Sequence, residues 1–100
     1  MIGEVRVLLF HAAADAAQID RAYHEVSRRL AGTPGLCGNE LLRSVHDATE
    51  FVVISTWTDL ASFQKWEEGG EHRDDTAPLR PYRQTGPERA FGVYQVTAAY

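Results

Sequence analysis

The sequence predicts an α+β protein whose elements run β-α-β-β-α-β, and three observations carry that prediction. Two stretches, VRVLLF from Val5 to Phe10 and EFVVISTWT from Glu50 to Thr58, are apolar on both faces and read as strands. Two amphipathic stretches, each opened by an aspartate and closed by glycine, read as surface helices. Asp47-Ala48-Thr49 reads as the turn of a hairpin between the middle strands. Helical crossovers on either side of a central hairpin make a ferredoxin-like split βαβ arrangement, with an antiparallel sheet covered by helices on one face.

The first strand puts Val5, Val7 and Leu9 on one side and Leu8 and Phe10 on the other, with Arg6 the only interruption. HAAAD follows, and Asp15 is an N-cap with Gln18 as its capping-box partner. Ile19, Tyr23, Val26 and Leu30 then recur at helical spacing. Gly32 stops this helix at C′, and Pro34 prevents its continuation. Leu36 to His46 reads as the second strand, with Asn39 and Arg43 on one face. In the third, Phe51, Val53 and Trp57 oppose Val52 and Ile54. Asp59 caps a second helix with Leu60, Phe63 and Trp66 inward, and Gly69-Gly70 ends it. The polar segment from Glu71 to Glu88 holds three of the four prolines and permits only a short helical turn near Thr76 to Arg83. Long loops of this kind often act as lids. Arg89 to Val96 is the last strand, and Gly92 in it marks a bulge or the close approach of another backbone.

One hundred residues fit a single domain spanning positions 1–100. The net charge of −4 argues against nucleic acid as a partner, while Arg80, Arg83 and Arg89 cluster enough positive charge for a small anionic or phenolic ligand. No apolar run is long enough to span a membrane, and the N-terminus does not read as a secretion signal. Cys37 has no internal partner, which fits a reducing cytoplasm, and its expected role is that of a small buried hydrophobe. The two-faced strands need cover on the side away from the helices, and a chain of this length has no element left to provide it. A homodimer with sheets packed face to face is therefore expected.

PGLCGNELLRS, followed by FVVISTWTDLASFQKWEEGGEHR, resembles the antibiotic biosynthesis monooxygenase domain family of the dimeric α+β barrel superfamily. The likeness lies in Pro-Gly before strand two, Glu-Leu-Leu-Arg within it, a strand ending in Trp57, and a helix with Phe63 and Trp66 followed by His72. For the cofactor-free members, the resemblance implies oxidation of an aromatic polyketide, such as an anthrone or naphthacenone, to a quinone. The substrate, once deprotonated, passes an electron to O2, and the protein shapes an apolar pocket, stabilises the anion and places a proton donor. No cofactor or metal is then expected, and the sequence has no nucleotide-binding glycine loop or metal-ligand motif. The resemblance equally extends to haem-degrading relatives and to non-catalytic ligand-binding modules.

The resemblance also places residues. A Trp near the end of the second helix lines the family's pocket, with a polar residue one turn earlier and a Tyr beyond the helix. Here these are Trp66, Ser62 and His72, so the Asn and Tyr of the best-studied type are replaced. Trp66 fits core packing as well as a pocket wall. His72 can serve as base on a phenol or donor to a peroxide, or simply stand in solvent. Haem-degrading relatives use a His near here as axial ligand, but their strand-one Asn is missing from VRVLLFH. Arg80 and Arg83 suit an oxyanion, and Arg83 is expected to be catalytic beside Trp66 and His72. Asn39, Ser62, Phe63, Arg80 and Tyr82 are the expected substrate contacts. Trp57 is expected to pack, His11 to make a structural hydrogen bond, and His24 and His46 to face solvent.

Overall fold

The computed structural model describes residues 1–84 and 91–100. Its elements are β1 (Val5–Ala12), α1 (Ala16–Leu30), β2 (Leu36–Arg43), β3 (Glu50–Trp57), α2 (Leu60–Glu68), α3 (His72–Thr76), a 3-10 helix (Ala77–Tyr82) and β4 (Phe91–Gln95). The strands form one antiparallel sheet in the order β2-β3-β1-β4. This is the ferredoxin-like fold expected from the sequence.

The caps work as their residue types dictate. Asp15 accepts a hydrogen bond from the Ala17 amide, and Asp59 accepts one from the Ser62 amide at 2.7 Å. Gly32 lies just past α1 with φ +84°. β2 ends at Arg43 rather than His46, because the Ser44 hydroxyl accepts from the His46 and Asp47 amides and turns the chain early. The bulge lies between Leu36 and Gly38 in β2, and β4 pairs with β1 in unbroken register. Over Gly92 the close neighbour is the Tyr94 ring, 2.6 Å from where a Cβ would stand, and not another backbone. Cys37 is exposed rather than buried, since the bulged edge strand carries it outside the packed layers.

The core lies between the sheet and its helices. Ile19, Ala22, Val26 and Leu30 of α1 pack on Phe51 and Val53, while Phe63 of α2 packs on Val5, Val7 and Trp57. Trp57 is 1% exposed and donates to the Ser55 hydroxyl at 3.0 Å, which makes it a structural residue. Trp66 packs against both clusters. The opposite sheet face carries Leu8, Phe10, Val52 and Ile54, which belong to neither cluster, with Leu42 exposed at one edge.

The loop before β2 passes hard against α2. Gly35 has φ +84°, and a Cβ there would lie 2.3 Å from Ser62 Cβ. Gly35→Ala is expected to destabilise the fold by about 2–4 kcal/mol, from left-handed strain and overpacking together. Urea denaturation checks this, and a midpoint unchanged from wild type would contradict the clamp.

Candidate active site

A cavity of about 220 Å³ lies between the sheet and α2, α3 and the 3-10 helix. Val7, Leu9, Phe63 and Phe91 supply apolar walls, and Trp66 closes the α2 side. The Trp66 ring stands 5.3 Å from Trp57, 6.2 Å from Phe63 and 5.6 Å from His72, centroid to centroid. Its Nε1 is buried without a partner, an unusual state for an indole N–H in a packed layer.

His72 is not a loop residue. It opens α3, directly after the glycine break, and its Nδ1 lies 2.7 Å from the Gly69 carbonyl. A carbonyl oxygen can only accept, so Nδ1 carries the hydrogen and, in neutral His72, Nε2 is the acceptor. Thr76 holds the other end of this short helix by donating to the His72 carbonyl at 2.7 Å. Arg80 reaches back over α3, with Nε 3.4 Å from the Arg73 carbonyl and Nη2 3.3 Å from Thr76 Oγ1. Arg73, Arg80 and Arg83 all border the cavity, where Glu67 is the only carboxylate among the described residues. Among the described residues none of these arginines has a carboxylate partner, and the ion pairs lie on other surfaces. The cavity is thus a positive site on a chain of net charge −4, suited to an anion.

Arg83 is fixed at the deep end. Its backbone forms an antiparallel bridge with His11, and the next residue, Gln84, donates to the Phe10 carbonyl at 3.0 Å. Its guanidinium lies over the Phe91 ring at 5.7 Å, and Nε is buried without a partner among the described residues. His11 lines the same cavity and is 2% exposed, the one buried polar side chain among the described residues. Its expected structural hydrogen bond exists, with Nδ1 3.0 Å from the Leu9 carbonyl. Burial pushes the His11 pKa below its ordinary value; the Leu9 hydrogen bond opposes this and the Arg83 charge adds to it.

The cavity therefore gathers Phe63, Trp66, His72, Arg80 and Arg83 from the expected residues. It does not include Asn39, Ser62 or Tyr82. Asn39 faces α1, where its side-chain oxygen accepts from the Tyr23 and Ser27 hydroxyls. Ser62 lies under Gly35 and borders a separate groove beside Lys65 and Gly70. Tyr82 packs with the α1 cluster, its hydroxyl 3.5 Å from Gln18 Oε1. Arg89, with the polar segment from Thr85 to Glu88, lies outside the described residues. Sequence reasoning misses Glu67, Arg73 and Thr76 of the cavity lining and, above all, the buried His11. Its signal is a lone polar side chain continuing the inward positions Val7 and Leu9.

Residues 1–74 match the family model described as antibiotic biosynthesis monooxygenase. The chain belongs to the antibiotic biosynthesis monooxygenase family. Protein SchA of Streptomyces halstedii is 30% identical over 96 residues, which are 94% of this chain and 25% of that protein. The 42.8 kDa protein in the whiE locus of Streptomyces coelicolor is 32% identical over 77 residues, 75% of this chain and 19% of that protein. The chain thus spans a quarter or less of these curated relatives. Among solved structures, a variant of SnoaB, a cofactor-independent oxygenase from Streptomyces nogalater, superposes with a TM-score of 0.78 at 20% identity. That match covers 97% of this chain and 96% of the other. A conserved protein from Methanosarcina mazei gives 0.70 at 9% identity, covering 94% and 93%. These structural likenesses establish the shared fold of the family. Among the described residues no helix is long and apolar enough to cross a membrane, and no group of three or more His, Cys, Asp or Glu converges to hold a metal ion.

The burial of His11 has a pH consequence. Its folded pKa is depressed, so the unfolded chain binds a proton near pH 6.5 that the native chain resists. Stability is therefore full above about pH 6.5 and is lost as pH falls through that value toward the lower folded pKa. Urea midpoints measured between about pH 7 and 5 are expected to decline in wild type and to flatten in His11→Gln. Equal slopes in the two proteins would contradict the burial of a neutral His11.

Proposed function

We propose that this chain is a cofactor-independent monooxygenase that oxidises a polycyclic, polyketide-type aromatic substrate with O2 to a quinone, working as a homodimer through its open sheet face. One observation carries the reading above the others. The cavity joins apolar walls to an Arg83 guanidinium that has no carboxylate partner and a Trp66 N–H that has no acceptor among the described residues, so it suits a flat aromatic that becomes an anion. The reaction asks little more of a protein. The substrate anion supplies electrons to O2, Arg83 and Arg80 stabilise its charge, and His72 at the rim can relay protons between the cavity and solvent. Trp66 and Phe63 together form one wall for the ring system, with Trp66 Nε1 able to donate to a ring oxygen after a small turn of the indole. The description of SnoaB as a cofactor-independent oxygenase supports the same chemistry.

O2 uptake and quinone absorbance, followed with anthrones and naphthacenones and no added flavin or metal, test the proposal. Wild type is expected to turn over at least one of them. Trp66→Phe, which keeps an aromatic ring and removes the N–H, is expected to lower kcat/KM by about tenfold, the worth of one hydrogen bond. Absence of O2 uptake across such substrates, or a Soret band on adding haemin, would overturn the reading.

A further inference from the structure

We propose that His11 is the proton acceptor of this cavity: its Nε2 takes the acidic proton of the bound substrate, while the Arg83 guanidinium holds the anion that remains. The inference rests on the oxygenase reading above and adds to it the group that starts the reaction.

The geometry argues from what the side chain leaves unpaired. The Leu9 carbonyl fixes the hydrogen on Nδ1. Neutral His11 therefore presents a bare Nε2, which makes no hydrogen bond among the described residues. Buried polar groups are normally satisfied, and a core position between apolar Leu9 and the β3 residue Phe51 has no packing need for an imidazole. Directly across the bridge stands Arg83, whose Nε is buried and has no partner among the described residues. No hydrogen bond joins the two among the described residues, so the lone pair and the cationic donor both stay open to a ligand. Their joint complement is a weak acid that gives its proton to the first and its charge to the second. A phenol, or an aromatic ketone that enolises, has that chemistry, whereas a permanent cation or a neutral hydrocarbon does not.

The charged groups around His11 set its readiness. Arg83 faces it across the bridge, Arg80 follows from the 3-10 helix, Arg73 and His72 come from α3, and Glu67 comes from α2. Without an anion, burial first and the Arg83 charge after it keep His11 neutral, the form a base needs. With the substrate anion in place, the repulsion from Arg83 is offset and the imidazolium is tolerated. His72, at the half-buried rim, lacks this bridge to Arg83.

The step balances for a methylene flanked by aromatic rings. A proton leaves the substrate for Nε2, and the electron pair stays delocalised on the substrate. O2 takes one electron, and the radical pair combines into a peroxide, whose outer oxygen recovers the proton from Nε2. The second C–H proton then passes to Nε2 as the O–O bond breaks, and the departing hydroxide takes it to form water. Net, CH2 plus O2 gives C=O plus H2O, with the carbon oxidised by four electrons and His11 returned neutral.

Wild type, His11→Gln, His72→Gln and the exposed-surface control His24→Gln are compared with two probes, a hydroxylated anthrone for turnover and a hydroxyanthraquinone whose colour reports ionisation. Wild type is expected to lower the apparent pKa of the bound hydroxyanthraquinone by about one pH unit or more, and His11→Gln to lose most of that shift. His11→Gln is expected to lower kcat at pH 7 by about 100-fold or more and to recover with rising pH as the substrate ionises by itself. His24→Gln is expected to match wild type. If His11→Gln retains both the ionisation shift and turnover within about threefold, or if only His72→Gln loses them, the assignment is overturned. Wild type that ionises the probe through His11 yet consumes no O2 would overturn the oxygenase reading and leave the acid–base site standing. Full anthrone oxidation by His11→Gln would do the reverse. Should His11→Gln fail to fold, the imidazole proton resonances of wild type serve instead. Adding the hydroxyanthraquinone is expected to move those of His11 to imidazolium positions, and their failure to move overturns the proposal.

Discussion

Replacing Arg83 by leucine is expected to lower kcat/KM for an ionisable anthrone by about 10²–10³-fold, mostly through kcat, because a charge-stabilising donor acts on the anion more than on the neutral substrate. The same change is expected to leave the thermal midpoint unaltered or to raise it. Arg83 carries an Nε that is buried without a partner among the described residues and adds positive charge beside buried His11, so in the absence of ligand little beyond its contact with the Phe91 ring favours it in the folded chain. Leucine gives up the guanidinium stacked over Phe91, worth about 0.5–1 kcal/mol at such a site, and its own side chain packs into part of that space. Arg83→Lys is expected to restore only part of the activity, since an ammonium cannot present the same planar fork. Steady-state O2 uptake beside calorimetry separates the two roles. A fall in melting temperature with unchanged turnover would make Arg83 a structural residue. A fall in turnover at constant stability is the signature of a group held unsatisfied for its ligand.

The contrast between Arg83 and Trp57 shows what a sequence discloses and what it leaves hidden. Trp57 ends a two-faced strand, and its burial follows from period and length alone. The caps Asp15 and Asp59, the stop at Gly32 and the inward set Val5, Val7 and Leu9 follow likewise, since each is decided within a few residues. The cavity is not local in this sense. Arg83 meets His11 only because the chain after the 3-10 helix returns to β1, a pairing no short-range pattern encodes. His72 reads as a loop residue because Pro78 forbids a long helix, yet the few residues before that proline suffice for α3. Ser62 falls outside the cavity for a similar reason. Its helix position is legible, while the approach of Gly35 from another loop is not. Asn39 does lie on the inward face, and that face meets α1 at this point rather than open space.

The second large effect concerns the sheet face away from the helices. Ile54→Asp is expected to convert a dimer of twice 11.2 kDa into a monomer while keeping the circular dichroism of the fold. Ile54 lies on central strand β3, between Leu8 of β1 and Glu40 of β2 in the pairing register. With Phe10 and Val52 it makes an apolar surface on the inner strands, where water-exposed sheets usually carry polar residues. In the proposed homodimer a second copy offers the same surface and closes the arrangement by two-fold symmetry. A carboxylate at its centre would be desolvated beside Glu40, with no cation across it in the same register, at a cost of several kcal/mol. His11, Trp66, His72 and Arg83 all come from one chain and one side of the sheet, so the monomer should still bind a hydroxyanthraquinone, though with a lower melting temperature. Sedimentation velocity at micromolar concentration reads the outcome. A wild type that sediments as a well-folded monomer would remove the dimer and leave the open sheet face without a partner.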